Sequence, residues 1–230
     1  MKRAVFLLFL AGATATLPWV GEELLHTLPP VRRVEVEGCR QVSVREIRKQ
    51  LEPMLKGKSL LEVDLGEMAL HLRSHPFIKE CEIWMVPPDG LRVRIVERRP
   101  VAVLHYKAES LLVDETGVAF VKTGGTWNLP QLKGISPDDR RGICRALETL
   151  KAFEGSPLGQ VEEIEVHGEV YLIRTSRGLL LTMERDGVKE EVRALEAVWQ
   201  FLKAQGRLPR YFLCEGGRKV VAGFEKGANP

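Results

Sequence analysis

Between His75 and Val103 the chain reads HPFIKECEIWMVPPDGLRVRIVERRPVAV, and no other stretch constrains the fold as tightly. Pro76 has no amide hydrogen and restricts the residue before it, so it stops a helix arriving from the N-terminal side. A run with strand character follows, then a tight turn through Pro87, Pro88, Asp89 and Gly90, then a second run. In the second run Leu91, Val93 and Ile95 fall on one face and Arg92 and Arg94 on the other. An apolar face and a charged face at period two describe a half-buried antiparallel hairpin. The hairpin ends at Glu97-Arg98-Arg99-Pro100, where Pro100 cannot donate to a ladder and marks a boundary.

The residues ahead of the hairpin supply the layer that covers it. Val34 and Val36 alternate with Glu35 and Glu37 in a short strand closed by Gly38. Ser43-Val44-Arg45-Glu46 is a capping box: the serine oxygen accepts an orphan amide while Glu46 reaches back. Behind it Val44, Ile47, Leu51 and Leu55 recur at helical spacing until Gly57 stops the run. A second box, Asp64-Leu65-Gly66-Glu67, opens a helix with Leu65, Met68, Ala69 and Leu72 as its stripe. Residues 31–100 are therefore expected to form an α+β unit of order β-α-α-β-β, two helices on one face of a three-stranded sheet.

A second, β-rich mixed α+β unit is expected over 101–226, with a tail at 227–230. Leu111 to Phe120 reads as a hairpin with its turn at Asp114-Glu115-Thr116-Gly117. Pro137 and Asp138 open a helix carrying Ile143, Leu147 and Leu150. Strands follow at 161–166 and 170–175, and the apolar run Leu179 to Met183 is consistent with a buried strand. Asp186-Gly187 forms a turn or cap before a stripe of Val192, Leu195, Val198, Trp199 and Leu202. A last strand, Lys219 to Phe224, ends the fold.

Ahead of both units, Lys2 and Arg3 precede an apolar run that reaches Val20. Residues 4–20 number 17, near the lower limit for spanning a hydrocarbon core of roughly 30 Å. One reading is a transmembrane signal-anchor at 4–20, with 1–3 cytoplasmic and 21–30 a linker. The other is a cleaved signal peptide, for which Ala13-Thr14-Ala15 offers a site. Both export everything after about position 25.

Nothing in the sequence builds a catalytic site. A net charge of +3 with interleaved signs disfavours nucleic acid as the main partner. The cysteines Cys39, Cys81, Cys144 and Cys214 lie far apart with no C-x-x-C, and read as small buried thiols. His71 and His75 are one helical turn apart but lack a carboxylate partner at metal-binding spacing. Gly124-Gly125 and Gly216-Gly217 lack the strand-to-helix setting of a phosphate cradle, and Asp138-Asp139 is better read as a cap. The expectation is no enzyme, no metal and no cofactor.

Four segments together resemble a known family: VRRVEVEGCRQVS at the first strand, SLLEVDL between the helices, HPFIKECEI at the second strand and LRVRIVERRPVA at the third. In that order and at those separations they resemble a POTRA domain, and more narrowly that of the FtsQ/DivIB bacterial cell-division proteins. LLVDETGVAF and LPQLKGI resemble that family's following segments. RYFLCE, at Arg210 to Glu215, lacks the aspartate that the family usually carries on entering its last strand. The resemblance implies a single-pass inner-membrane protein at the septum, its bulk outside the cytoplasm. It implies binding of FtsB/DivIC-like and FtsL-like partners through the C-terminal region. A sheet edge offers unpaired amides and carbonyls to which a partner can add a strand. Arg218, Lys219, Val220, Val221 and Ala222, flanked by Trp199, are the expected contact residues. Arg92 and Arg94 on the POTRA unit read first as a solvated face, with contact to other division proteins as the alternative. The alternative is a secreted or anchored POTRA protein of outer-membrane assembly or secretion, although no run of barrel strands follows.

Overall fold

The structure, a computed structural model, describes residues 29–215 and 219–224. The expected membrane segment at 4–20, most of the linker at 21–30, Arg218 and the tail at 227–230 lie outside the described residues. Among the described residues no helix is long and apolar enough to cross a membrane. The chain divides into two units between Arg98 and Arg99.

The first unit runs β1 (Arg33–Glu37), α1 (Val44–Leu55), α2 (Leu65–Arg73), β2 (Ile78–Val86) and β3 (Gly90–Glu97). Its sheet has the order β1-β3-β2, with β2 antiparallel and β1 parallel to β3. A parallel pair needs a long connection, and the two helices lie within it. Leu91, Val93 and Ile95 are buried against Ile47, Leu51, Met68 and Leu72. Arg92 and Arg94 face outward and pair with Glu35 at 3.2 Å and Glu82 at 3.9 Å. Ser43 accepts the Arg45 amide at 3.2 Å and Asp64 accepts the Glu67 amide at 2.9 Å. Val44, expected on the first apolar stripe, is instead 36% exposed. As the first helical residue it stands before the stripe that Ile47 begins.

Gly38 ends β1 with φ +90°, and a Cβ there would collide with the Ile95 carbonyl oxygen. The chain then turns so that the amides of Arg40, Gln41 and Val42 point at the Glu97 carboxylate, at 2.8–3.0 Å. Glu97, in the ERRP motif, thus ties the end of β3 to the loop after β1.

The second unit runs β4 (Pro100–Tyr106), β5 (Glu109–Asp114), β6 (Ala119–Lys122), β7 (Gln131–Lys133), α3 (Arg140–Ala152), β8 (Val161–His167) and β9 (Val170–Thr175). It closes with β10 (Leu180–Glu184), α4 (Val188–Ala204), β11 (Tyr211–Glu215) and β12 (Lys219–Gly223). These strands make one nine-stranded sheet in the order β12-β11-β10-β9-β8-β7-β4-β5-β6. The joins β4–β7, β7–β8 and β10–β11 are parallel. α3 is the crossover for β7–β8 and α4 for β10–β11, as parallel neighbours require.

The registers place Leu104, Leu132, Ile164, Ile173, Leu181 and Phe212 in one row across six strands, all buried. Ile143, Ala146 and Leu147 from α3 and Val192, Leu195 and Trp199 from α4 join the same core. Asp139 caps α3 by accepting the Gly142 amide at 2.9 Å. Gly187, with φ +79°, precedes α4.

Three strands were not anticipated. Gln131–Lys133, within LPQLKGI, forms β7. The residues after Pro100 form β4, whose Ala102, Val103 and Leu104 are buried near the middle of the second sheet. YFLCE forms β11. The run Leu179 to Met183 is a half-buried strand rather than a fully buried one: Leu181 and Met183 face the core while Leu180 is 54% exposed.

Candidate partner-binding edge

Strand β12 ends the sheet and pairs with β11 alone among the described strands. Alternation sets its two faces. Val220 and Ala222 are half-buried against the core, while Lys219 and Val221 are exposed. An edge of this kind presents unpaired backbone groups, and charge is the usual protection against unwanted pairing.

The outward face of the sheet changes character toward this edge. One row across seven strands runs His105, Lys133, Glu165, Leu172, Thr182, Leu213, Val221. The neighbouring row runs Gln131, Glu163, Arg174, Leu180, Tyr211, Gly223. The middle of the sheet is polar and paired: Glu163 meets Lys133 at 2.8 Å and Arg174 at 3.7 Å. Toward β12 the same face becomes apolar and exposed, at Leu172, Leu180, Tyr211, Leu213 and Val221. The Tyr211 ring lies across Gly223, where a Cβ would collide with it. Only a glycine lets the ring cover the strand end in this way.

Of the residues expected to meet a partner, Lys219 and Val221 stand on the exposed face, while Val220 and Ala222 contribute from the inner one. Arg218 lies outside the described residues. Trp199 needs correction: it is 6% exposed and packs in the core of the second unit, so it offers no contact surface. Its spacing with Val192, Leu195 and Leu202 is that of the buried stripe. The exposed aromatic of α4 is Phe201, at 63%.

Sequence reasoning missed Leu172, Leu180, Tyr211 and Leu213. A signal was available in YFLCE and in Leu179 to Met183, where large apolar residues occupy both faces of a short strand. Which of those faces is open depends on the helices packing against the other, and no local pattern carries that.

Other chemistry-bearing groups sit in structural roles. All four cysteines are free thiols. Burial, reinforced by the Glu191 carboxylate, pushes the Cys214 thiol up to about 12. Burial raises Cys81 as well, the thiolate being further disfavoured by Cys39 and Glu82 and partly relieved by Arg73. Glu191 is buried and accepts the Glu184 amide at 3.3 Å. His75 lies 3.8 Å from Glu46. Among the described residues no group of three or more His, Cys, Asp or Glu side chains is placed to hold a metal ion.

Residues 29–98 match the family model of the FtsQ-type POTRA domain. The cell division protein FtsQ of Anaeromyxobacter sp. (strain K) is 29% identical over 212 residues, covering 85% of this chain and 70% of that protein. FtsQ of Myxococcus fulvus is 29% identical over 222 residues, covering 89% and 78%. The chain carries an FtsQ-type POTRA domain and is similar to FtsQ proteins over most of its length. FtsQ of Allochromatium vinosum is 31% identical over a shorter stretch, 60% of this chain and 52% of that one. The major extracytoplasmic domain of DivIB from Geobacillus stearothermophilus aligns at 16% identity over 47% of this chain and 96% of that one. Its TM-score is 0.34, too loose a superposition to bear on the details of the fold. These FtsQ relatives are cell-division proteins, which supports a division protein here, and β12 is the last strand among the described residues.

Proposed function

We propose that this chain is a bitopic scaffold of the division machinery, held in the inner membrane at the septum by residues 4–20. In this reading its two folded units lie outside the cytoplasm and it performs no catalysis. Its task is to hold FtsB/DivIC-like and FtsL-like partners where the septum is built. The observation that supports this reading best is the open edge of β12 bordered by an apolar outward face. A partner segment adding to that edge gains backbone hydrogen bonds from the strand and side-chain burial against Leu213 and Val221.

Val221→Asp places a charge in the centre of that surface, and Val221→Pro removes an amide from the strand. Both are expected to abolish co-purification of an FtsB-like partner with the full chain, while near-native circular dichroism and melting behaviour persist for Val221→Asp. Undiminished capture by both variants would sink the reading.

A further inference from the structure

The first unit has an open edge of its own. In the order β1-β3-β2, β1 pairs with β3 alone among the described strands. Between that edge and α1 lies a groove of about 970 Å³. Val31, Val34 and Leu55 contribute apolar surface to it. Its charged lining is one-sided: Arg45, Arg48 and Lys49 project from α1, Lys56 from the residue that follows it and Arg32 from the residue before β1. Helical spacing of three and four aligns the α1 cations along one side of the groove. The opposing carboxylates are few. Glu35 is engaged with Arg92 at 3.2 Å, which leaves Glu52. None of these five cations has an anionic partner among the described residues. Against a net charge of +3 for the whole chain, this is a concentrated positive field in a concave site, where field lines focus. Arg45 is also the second residue of its helix, where the macrodipole disfavours a cation.

We propose that this groove docks an extended acidic segment of a partner protein, which adds a strand to β1 while its carboxylates face the cations of α1. Two features select a polypeptide over an anionic lipid surface. A free strand edge templates another backbone, which a headgroup does not possess. A concave site with apolar surface suits a narrow chain better than a broad membrane plane. The site lies in a different unit from β12 and does not depend on the reading given above.

The test uses the full chain and a fluorescent decapeptide of alternating glutamate and valine. The expected result is saturable binding that weakens as salt rises. The triple variant Arg45→Glu, Arg48→Glu, Lys49→Glu is expected to bind at least tenfold more weakly, with Lys49→Gln intermediate and Val221→Asp unchanged. These α1 positions are exposed, and circular dichroism checks that the fold persists. N-methylation of alternate peptide amides should abolish binding, because strand addition requires them. Equal binding by the charge-reversed variant, equal binding of a lysine–valine peptide, or indifference to N-methylation overturns the proposal. So does absence of peptide binding together with binding to phosphatidylglycerol vesicles, which would make the groove a membrane contact.

Discussion

Glu97 shows how one side chain can set the shape of a loop. Three backbone amides converge on its carboxylate, and hydrogen bonds to a charged acceptor are about twice as strong as neutral ones. Partial burial alone would raise its pKa. The amides of Arg40, Val42 and Gln41, helped by the Arg40 charge, outweigh that and hold the carboxyl below the ordinary glutamate range. A carboxyl depressed in the folded state contributes stability above its unfolded pKa, and loses it as pH falls through its folded pKa. Acidification through that window should therefore raise the exchange rates of the Arg40–Val42 amides beyond the intrinsic pH trend. In Glu97→Gln the additional change should vanish, and an identical pH profile in both proteins would contradict the clasp. Because the site is partly exposed, Glu97→Ala should cost about 1–2 kcal/mol in denaturant unfolding.

At the scale of elements, α4 separates two aromatic residues two positions apart. Trp199→Ala removes a buried ring and should cost about 3–5 kcal/mol, whereas Phe201→Ala should stay within about 0.5 kcal/mol. Thermal or urea unfolding of the two variants checks the pair, and comparable losses would show that the helix is rotated. Periodicity had already placed Trp199 on the inner stripe, alongside Val192, Leu195 and Leu202, while the family likeness drew it toward the partner surface. The pattern was the better guide. Elements with local signals were legible: the two capped helices of the first unit, the alternating β3, and the hairpin of β5 and β6. β4, β7 and β11 were not. β4 pairs in parallel with β7, β7 with β8 and β11 with β10, each through a long connection. No turn residue announces such a pairing, and burial from both sides erased the alternation in PVAVLHY. The open apolar face near β12 was missed for the same reason, since it depends on α3 and α4 covering the other side.

At the scale of the whole molecule, each unit holds a separate sheet and a separate core. Residues 29–98 expressed alone should therefore melt in a single cooperative transition followed by circular dichroism, and a non-cooperative trace would show that the first unit leans on the second. Its strand order carries a mechanical consequence. β1, where the chain enters, and β3, where it leaves, lie side by side and run the same way, in register from Arg33 opposite Gly90 to Glu37 opposite Arg94. Tension between the two ends of this unit would therefore draw β1 and β3 past each other lengthwise, loading the rungs of their ladder together instead of peeling them one at a time. A chain tethered at one end and hauled at the other would carry its load in shear through this pair of strands.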